Sequence, residues 1–141
     1  MRTGWVGHMQ TITIHDLHND RNVLAFDLRD LLTLLAPVSL EAEWSVTNPA
    51  YEEFFATGEG GAALEKLAAE SATVNGKELL ALANDTTQVI WGDFVGTYQN
   101  RPGQIWTIIR AFDSSYYEVT TSDSEVLERV KGHFNDVRID D

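Results

Sequence analysis

The sequence predicts an α+β domain: a mainly antiparallel sheet, with a three-strand meander in the C-terminal half and helices packed on one face. Three observations carry that expectation. Residues 87–121 hold three β-rich runs separated by short turn signals, the pattern of an antiparallel meander. The other apolar residues recur mostly at helical spacing, in stretches opened by Asp, Asn or Ser. A two-residue stripe and a 3.6-residue stripe each need a cover, and each can cover the other.

Taken in order, Met9-Gln10-Thr11-Ile12-Thr13-Ile14 alternates and is rich in β-branched residues, so it reads as a first strand. A polar loop, His15 to Asn22, follows. Asp27 is placed to cap a short helix with Leu28, Leu31, Leu32 and Leu35 on one side, and Pro37 lies just beyond its end. Residues 40–46 read as a second strand, with Leu40, Ala42, Trp44 and Val46 inward and Glu41, Glu43 and Ser45 outward. Pro49 suits the first turn of a short helix carrying Tyr51, Phe54 and Phe55. Gly58, Gly60 and Gly61 punctuate the chain before a helix over Ala62 to Ser71 that buries Leu64, Leu67 and Ala68. Asn75-Gly76 leads into another helix, with Leu79, Leu80 and Leu82 as its apolar residues.

The second half is clearer. Thr87 to Tyr98 forms a long strand, and Arg101-Pro102-Gly103 turns it into a second strand over Gln104 to Phe112. Asp113-Ser114-Ser115 makes a tight turn into a third, Tyr116 to Thr121. Ser122 and Glu125 form a capping box for a helix whose Val126, Leu127, Val130 and Phe134 share a face. Val137 to Ile139 adds a short last strand. No repeat or linker divides the chain, so residues 1–141 read as one domain, with residues 1–8 expected to be mobile.

Composition limits the function classes. Among 141 residues, 22 Asp and Glu face ten Lys and Arg, for a formal net charge of −12 and a pI near 4.5. That excess repels nucleic acid and anionic membrane and attracts basic surfaces. Hydrophobic residues make up 43%, enough for a packed core. Cysteine is absent, which excludes disulfides, thiolate catalysis and cysteine-ligated metal. No apolar run reaches the ~18 residues that span a bilayer, and the first residues lack the apolar core of a signal peptide, so a cytoplasmic location is expected.

The charge is uneven. Residues 1–26 balance; residues 27–70 carry nine acids against two bases, a balance of −7; residues 71–141 carry eleven against six, a balance of −5. The acidic middle, with Glu41, Glu43, Glu52, Glu53, Glu59, Glu65 and Glu70, is where a basic partner would land. Glu41 and Glu43 are expected to project from one strand face ~7 Å apart.

Chemistry-bearing residues are few. His15, Asp16, His18 and Asp20 lie within six positions and can supply metal ligands or a base with its orienting acid. Their stretch runs from a strand end into a loop, where i, i+3 imidazoles do not converge, so a solvated loop is preferred. His133 reads as a C-terminal helix cap, complementing the macrodipole. Ser114 and Ser115 lack a nucleophile's surroundings and read as turn residues. No catalytic residue, metal site or cofactor is therefore expected.

In the long strand, Gly92 and Gly96 are read on one face with Ile90, Phe94 and Tyr98, opposite Val89, Trp91, Asp93, Val95 and Thr97. An aromatic sheet can stack bases, but Asp93, Asp113 and Glu118 surround this one, so nucleic-acid binding is disfavoured. Trp91 or Trp106 can instead anchor a protein interface.

Gly76-Lys77-Glu78-Leu79-Leu80, then Gln88 to Phe94, Asp113-Ser114-Ser115-Tyr116 and the helix ending at Phe134 resemble a pattern in small uncharacterised bacterial proteins. The likeness covers roughly the C-terminal half and implies a bacterial origin and a single domain. In size, acidity and lack of cysteine the chain also resembles cytosolic immunity proteins that neutralise secreted toxins. The leading expectation is an acidic, non-enzymatic inhibitor of a basic toxin or nuclease. Its expected contact residues are Glu41, Glu43, Glu52, Glu53, Glu59, Trp91 and Asp93. The alternatives are a small metal-dependent enzyme using His15, Asp16, His18 and Asp20, or a structural domain that homodimerises through its aromatic sheet.

Overall fold

The longest strand, Gln88–Thr97, sits at the heart of the sheet and meets three other strands along its two edges. The computed structural model describes residues 9–17, 24–50 and 52–140. Among these are five helices and eight strands, and every strand pairing is antiparallel within one sheet. In chain order they are β1 (Gln10–Ile14), α1 (Leu28–Leu34), α2 (Val38–Glu41), β2 (Glu43–Thr47), β3 (Phe55–Thr57), α3 (Glu59–Glu70) and β4 (Thr73–Asn75). There follow α4 (Gly76–Asn84), β5 (Gln88–Thr97), β6 (Ile105–Phe112), β7 (Tyr116–Thr121), α5 (Ser124–His133) and β8 (Val137–Asp140). The order across the sheet is β4-β2-β5-β6-β7-β1-β8, with β3 pairing the first half of β5 where β2 leaves off.

The protein is therefore an α+β fold with the expected C-terminal meander, β5-β6-β7. The β6–β7 turn holds Asp113 and Ser114 at φ 51° and 61°, and Ser115 N–H donates to Phe112 O at 2.8 Å. Two left-handed residues give the tight turn whose twist matches a right-handed hairpin, and Asp and Ser are short polar residues suited to it.

One face of the sheet is covered. Ile12, Ile14, Trp44, Val46, Phe94, Trp106, Ile109, Tyr117 and Val119 are all at most 1% exposed. They share a single core with Leu28, Leu31 and Leu32 of α1, Leu64 of α3, Leu79 of α4, and Val126 and Val130 of α5. Two glycines of β5 make room for this layer. A Cβ at Gly92 would lie 2.5 Å from the Phe54 ring, and one at Gly96 would lie 2.9 Å from the Trp44 ring. Both positions need the missing side chain so that an aromatic ring can rest on the backbone.

Several local expectations are corrected. Leu40 and Glu41 belong to α2, not to a strand, because Ser39 Oγ donates to Leu32 O at 2.6 Å and Trp44 Nε1 donates to Ser39 O at 2.8 Å. Glu41 and Glu43 thus sit on different elements and do not project side by side. Among the described residues, the segment after Pro49 is not helical. Asn48 Oδ1 accepts from Phe54 N–H at 3.0 Å, and β3 then completes the ladder on β5. Gly60 and Gly61 lie inside α3, buried in its first turn, and Thr73–Asn75 is a short strand before α4. The cap of α5 is Asp123, whose Oδ1 accepts from Glu125 N–H at 2.9 Å, so Ser122 is one residue too early. Within β5, Phe55 pairs Trp91 while Ala56 pairs Val89, so Ile90 is an extra residue in a bulge. The bulge turns Val89 to the covered side with Gly92, Phe94 and Gly96, contrary to strict alternation. Residues 1–8, His18, Asp20 and Tyr51 lie outside the described residues.

Candidate functional site

The second face of the sheet has no helix on it among the described residues, and its side chains form rows across the strands. The first row is aromatic. Phe55, Trp91, Phe112 and Tyr116 stand at successive cross-strand positions, and His15 just past β1 ends the row. Trp91 meets Phe112 edge-on with centroids 6.1 Å apart. Phe112 stacks on Tyr116 at 4.9 Å, and Tyr116 stacks on His15 at 4.9 Å. Such pairs contribute ~0.5–1.5 kcal/mol beyond burial alone.

The second row is ionic. Arg110 on β6 reaches Asp93 on β5 at 3.4 Å and Glu118 on β7 at 3.0 Å. Burial raises the pKa of Asp93, and the Arg110 guanidinium beside it partly offsets that rise. A third row holds Val95, Ile108, Thr120 and Thr11, with Thr11 and Thr120 hydroxyls 2.9 Å apart.

Beside the aromatic row opens a cleft of ≈ 640 Å³, lined by Asn48, Glu52, Glu53, Phe54, Phe55, Glu65, Ala69 and Trp91. The loop between β2 and β3 supplies Glu52 and Glu53, both exposed, and α3 supplies Glu65. Glu65 Oε2 accepts from Ala56 N–H at 3.2 Å, which fixes one carboxylate at the cleft wall. Phe55 is 48% exposed and Trp91 half-buried, so the aromatic walls are open to a ligand. Carboxylates beside aromatic faces suit a cation, which gains from both the charges and the ring quadrupoles.

Of the seven contact residues expected from sequence, the structure brings three, Glu52, Glu53 and Trp91, to this cleft. Asp93 is one row away and engaged by Arg110. Glu59 is exposed in the first turn of α3, where a carboxylate favours the positive end of the helix dipole. Glu43 projects from β2, and Glu41 lines a small recess with Tyr98, Gln99 and Asn100. Neither borders the cleft. Trp106 is core: it is 1% exposed, and its Nε1 donates to Asp123 Oδ2 at 2.9 Å. Phe55, Glu65 and Asn48 were not singled out as contacts. Only Glu65 carried a signal, as one of the middle acids.

Of the histidine-rich stretch, the described residues His15 and Asp16 are tied up structurally. His15 Nε2 lies 2.8 Å from Thr13 Oγ1, and partial burial, then the Arg138 charge, lower its pKa. Asp16 carboxylate oxygens accept from the N–H groups of Asn135 and Asp136 at 2.6 to 3.0 Å, joining the end of β1 to the start of β8. Among the described residues no three His, Asp or Glu side chains gather as metal ligands. His133 is exposed at the end of α5, its ring edge-on to Phe134 at 4.8 Å.

One buried carboxylate stands apart. Asp27 caps α1, exchanges capping-box hydrogen bonds with Asp30, accepts from Val89 N–H at 3.1 Å and accepts from the Tyr117 hydroxyl. Burial raises the Asp27 pKa against the pull of these donors. Burial and the Asp27 charge push the wholly buried Tyr117 hydroxyl far above its ordinary value. Tyr117 therefore keeps its proton and donates it. This cluster ties α1 to β5 and β7, which is a structural role.

A two-layer α+β protein with one open sheet face and an acid-rimmed aromatic cleft is the class that fold and site define. No family model, curated protein or solved structure matches the chain. No helix of the described residues is long and apolar enough to cross a membrane.

Proposed function

We propose that the chain is a non-enzymatic binding protein that neutralises a basic protein partner, such as a toxin or nuclease, by receiving a cationic side chain in the cleft. The convergence of Glu52, Glu53 and Glu65 with Phe55 and Trp91 around ≈ 640 Å³ carries the reading. An inserted arginine or lysine gains ~0.5–2 kcal/mol from an aromatic face, and the carboxylates complement its charge. The net charge of −12 adds long-range steering, which speeds encounter with a basic surface at low salt. The reading places the protein in the cytoplasm, beside the machinery its partner would attack.

Capture from cells of its own source tests this, using the wild-type chain and a Glu52→Lys/Glu53→Lys variant at low and high salt. The wild type should retain one basic protein at low salt, release it as salt rises, and suppress that protein's activity at one-to-one stoichiometry. Retention by the variant, or binding indifferent to salt, overturns the proposal.

A further inference from the structure

We propose that the open sheet face is the interface of a symmetric homodimer, a surface distinct from the glutamate rim of the cleft. The centre of the face carries an opposed charge pair on neighbouring strands, Arg110 of β6 and Glu118 of β7. Overall, acids outnumber bases by twelve. On this face Arg110 lies between Asp93 and Glu118, and Arg138 on β8 pairs with Asp136 at 3.0 Å. With Asp140, which pairs Thr11, and Glu43, which pairs Thr97, the face holds five acids and two bases, and each base lies beside a carboxylate. Asp93, Glu118 and Asp136 are compensated by Arg110 and Arg138, and the two remaining acids lie on the outer strands β8 and β2.

The rows are also self-complementary. A two-fold axis running along the strands between β6 and β7 lays each row on its own copy in reverse strand order. Phe112 then faces Tyr116 of the second copy, and Trp91 faces His15. Arg110 faces Glu118, and Ile108 faces Thr120. Trp91, Phe112, Tyr116 and His15 thus each meet a ring, Phe55 falls outside these pairs, and Arg110 meets a carboxylate. Because the row order β5-β6-β7-β1 is symmetric about that axis, β2 lies over β8 and β4 stays outside. Glu52, Glu53 and Glu65 flank this zone while Trp91 belongs to both surfaces, so a dimer keeps two glutamate rims and covers that one cleft wall.

The size is adequate. Six strand positions at ~4.8 Å and about six residues at ~3.3 Å give a face of roughly 600 Å² in projection, and side-chain relief brings it towards the ~800 Å² per partner of a standard interface. Aligned sheet faces pack ~10 Å apart with side chains interleaved.

Sedimentation or light scattering of the full chain from about 1 to about 100 µM, the span of modest affinities, tests the proposal. The expected mass is twice 15.8 kDa. Phe112→Asp and Arg110→Glu should each return it to monomer, with circular dichroism reporting that the fold survives. The absence of cysteine gives an independent probe. Thr120→Cys, near the proposed axis, should form a covalent dimer with a short bis-maleimide, whereas Glu70→Cys on α3 should not. A monomer at the highest concentration, a dimer indifferent to Phe112→Asp and Arg110→Glu, or cross-linking at residue 70 in place of residue 120 overturns the assignment. Each outcome is independent of whether a basic partner is captured.

Discussion

The two faces of the sheet are built from the same strands yet differ sharply in burial. On the covered side Trp44, Phe94, Trp106 and Tyr117 are at most 1% exposed, and the polar groups of both tryptophans and the tyrosine are hydrogen-bonded. On the open side Trp91, Phe112 and Tyr116 remain half-buried, and Arg110 is shared by two carboxylates. Folding stability is concentrated in the first set, because full removal of large apolar side chains from water dominates the energetics. The second set is surplus to the core, so changes there should be felt mainly in association.

Substitutions that cross from one face to the other test this division. Trp44→Ala, which empties a wholly buried site resting on Gly96, should cost about 3–5 kcal/mol and leave little folded protein in mild denaturant. Next comes Asp27→Ala, which orphans Val89 N–H, the Tyr117 hydroxyl and the first turn of α1. A loss of about 2–4 kcal/mol by equilibrium unfolding is expected. Trp91→Ala, on the open face of the same strand that carries Phe94, should cost about 1 kcal/mol or less while weakening both partner capture and self-association. A stability loss equal to that of Trp44→Ala would erase the distinction. Smallest of all, Glu52→Lys/Glu53→Lys should leave stability within about 0.5 kcal/mol while reducing binding of a basic partner at least tenfold.

The buried carboxylate also gives the covered side a pH signature. The folded pKa of Asp27 is raised above its unfolded value, so the folded state holds the proton more tightly. Its favourable contribution is complete below the ordinary aspartate range and is lost as pH rises through the raised value. Denaturant unfolding at a series of pH values should show stability falling over that window. Asp27→Asn, unable to ionise, should flatten the slope; the part contributed by Asp93, whose pKa is raised likewise, should persist.

Sequence made the local devices plain and left the long-range ones unread. The cap at Asp27, the helix opening at Asn75-Gly76, the Asp113-Ser114 turn and the apolar stripe of α5 rest on contacts within a few residues, so residue type alone reveals them. Pro49 pointed to a helix, but the open edge of β5 beyond β2 recruited Phe55–Thr57 as a strand. The bulge at Ile90 defeated strict alternation and placed Val89 on the wrong face. The Asp27–Tyr117 contact spans 90 residues, and the cleft joins Glu52 to Glu65 and Trp91, pairings that no local pattern encodes. A surplus of acids in the middle of the chain was legible; which of them converge was decided by where β3 docks.

The bulge in β5 also predicts where this chain tolerates losing a codon. From Trp91 backwards, removing Ile90 restores simple alternation and still leaves Val89 turned towards the helices, opposite Ala56. A deletion between Gly92 and Gly96 would instead invert the upstream half of the strand. Ile90 is thus the one spot in that stretch where evolution can shorten the gene without turning the sheet inside out.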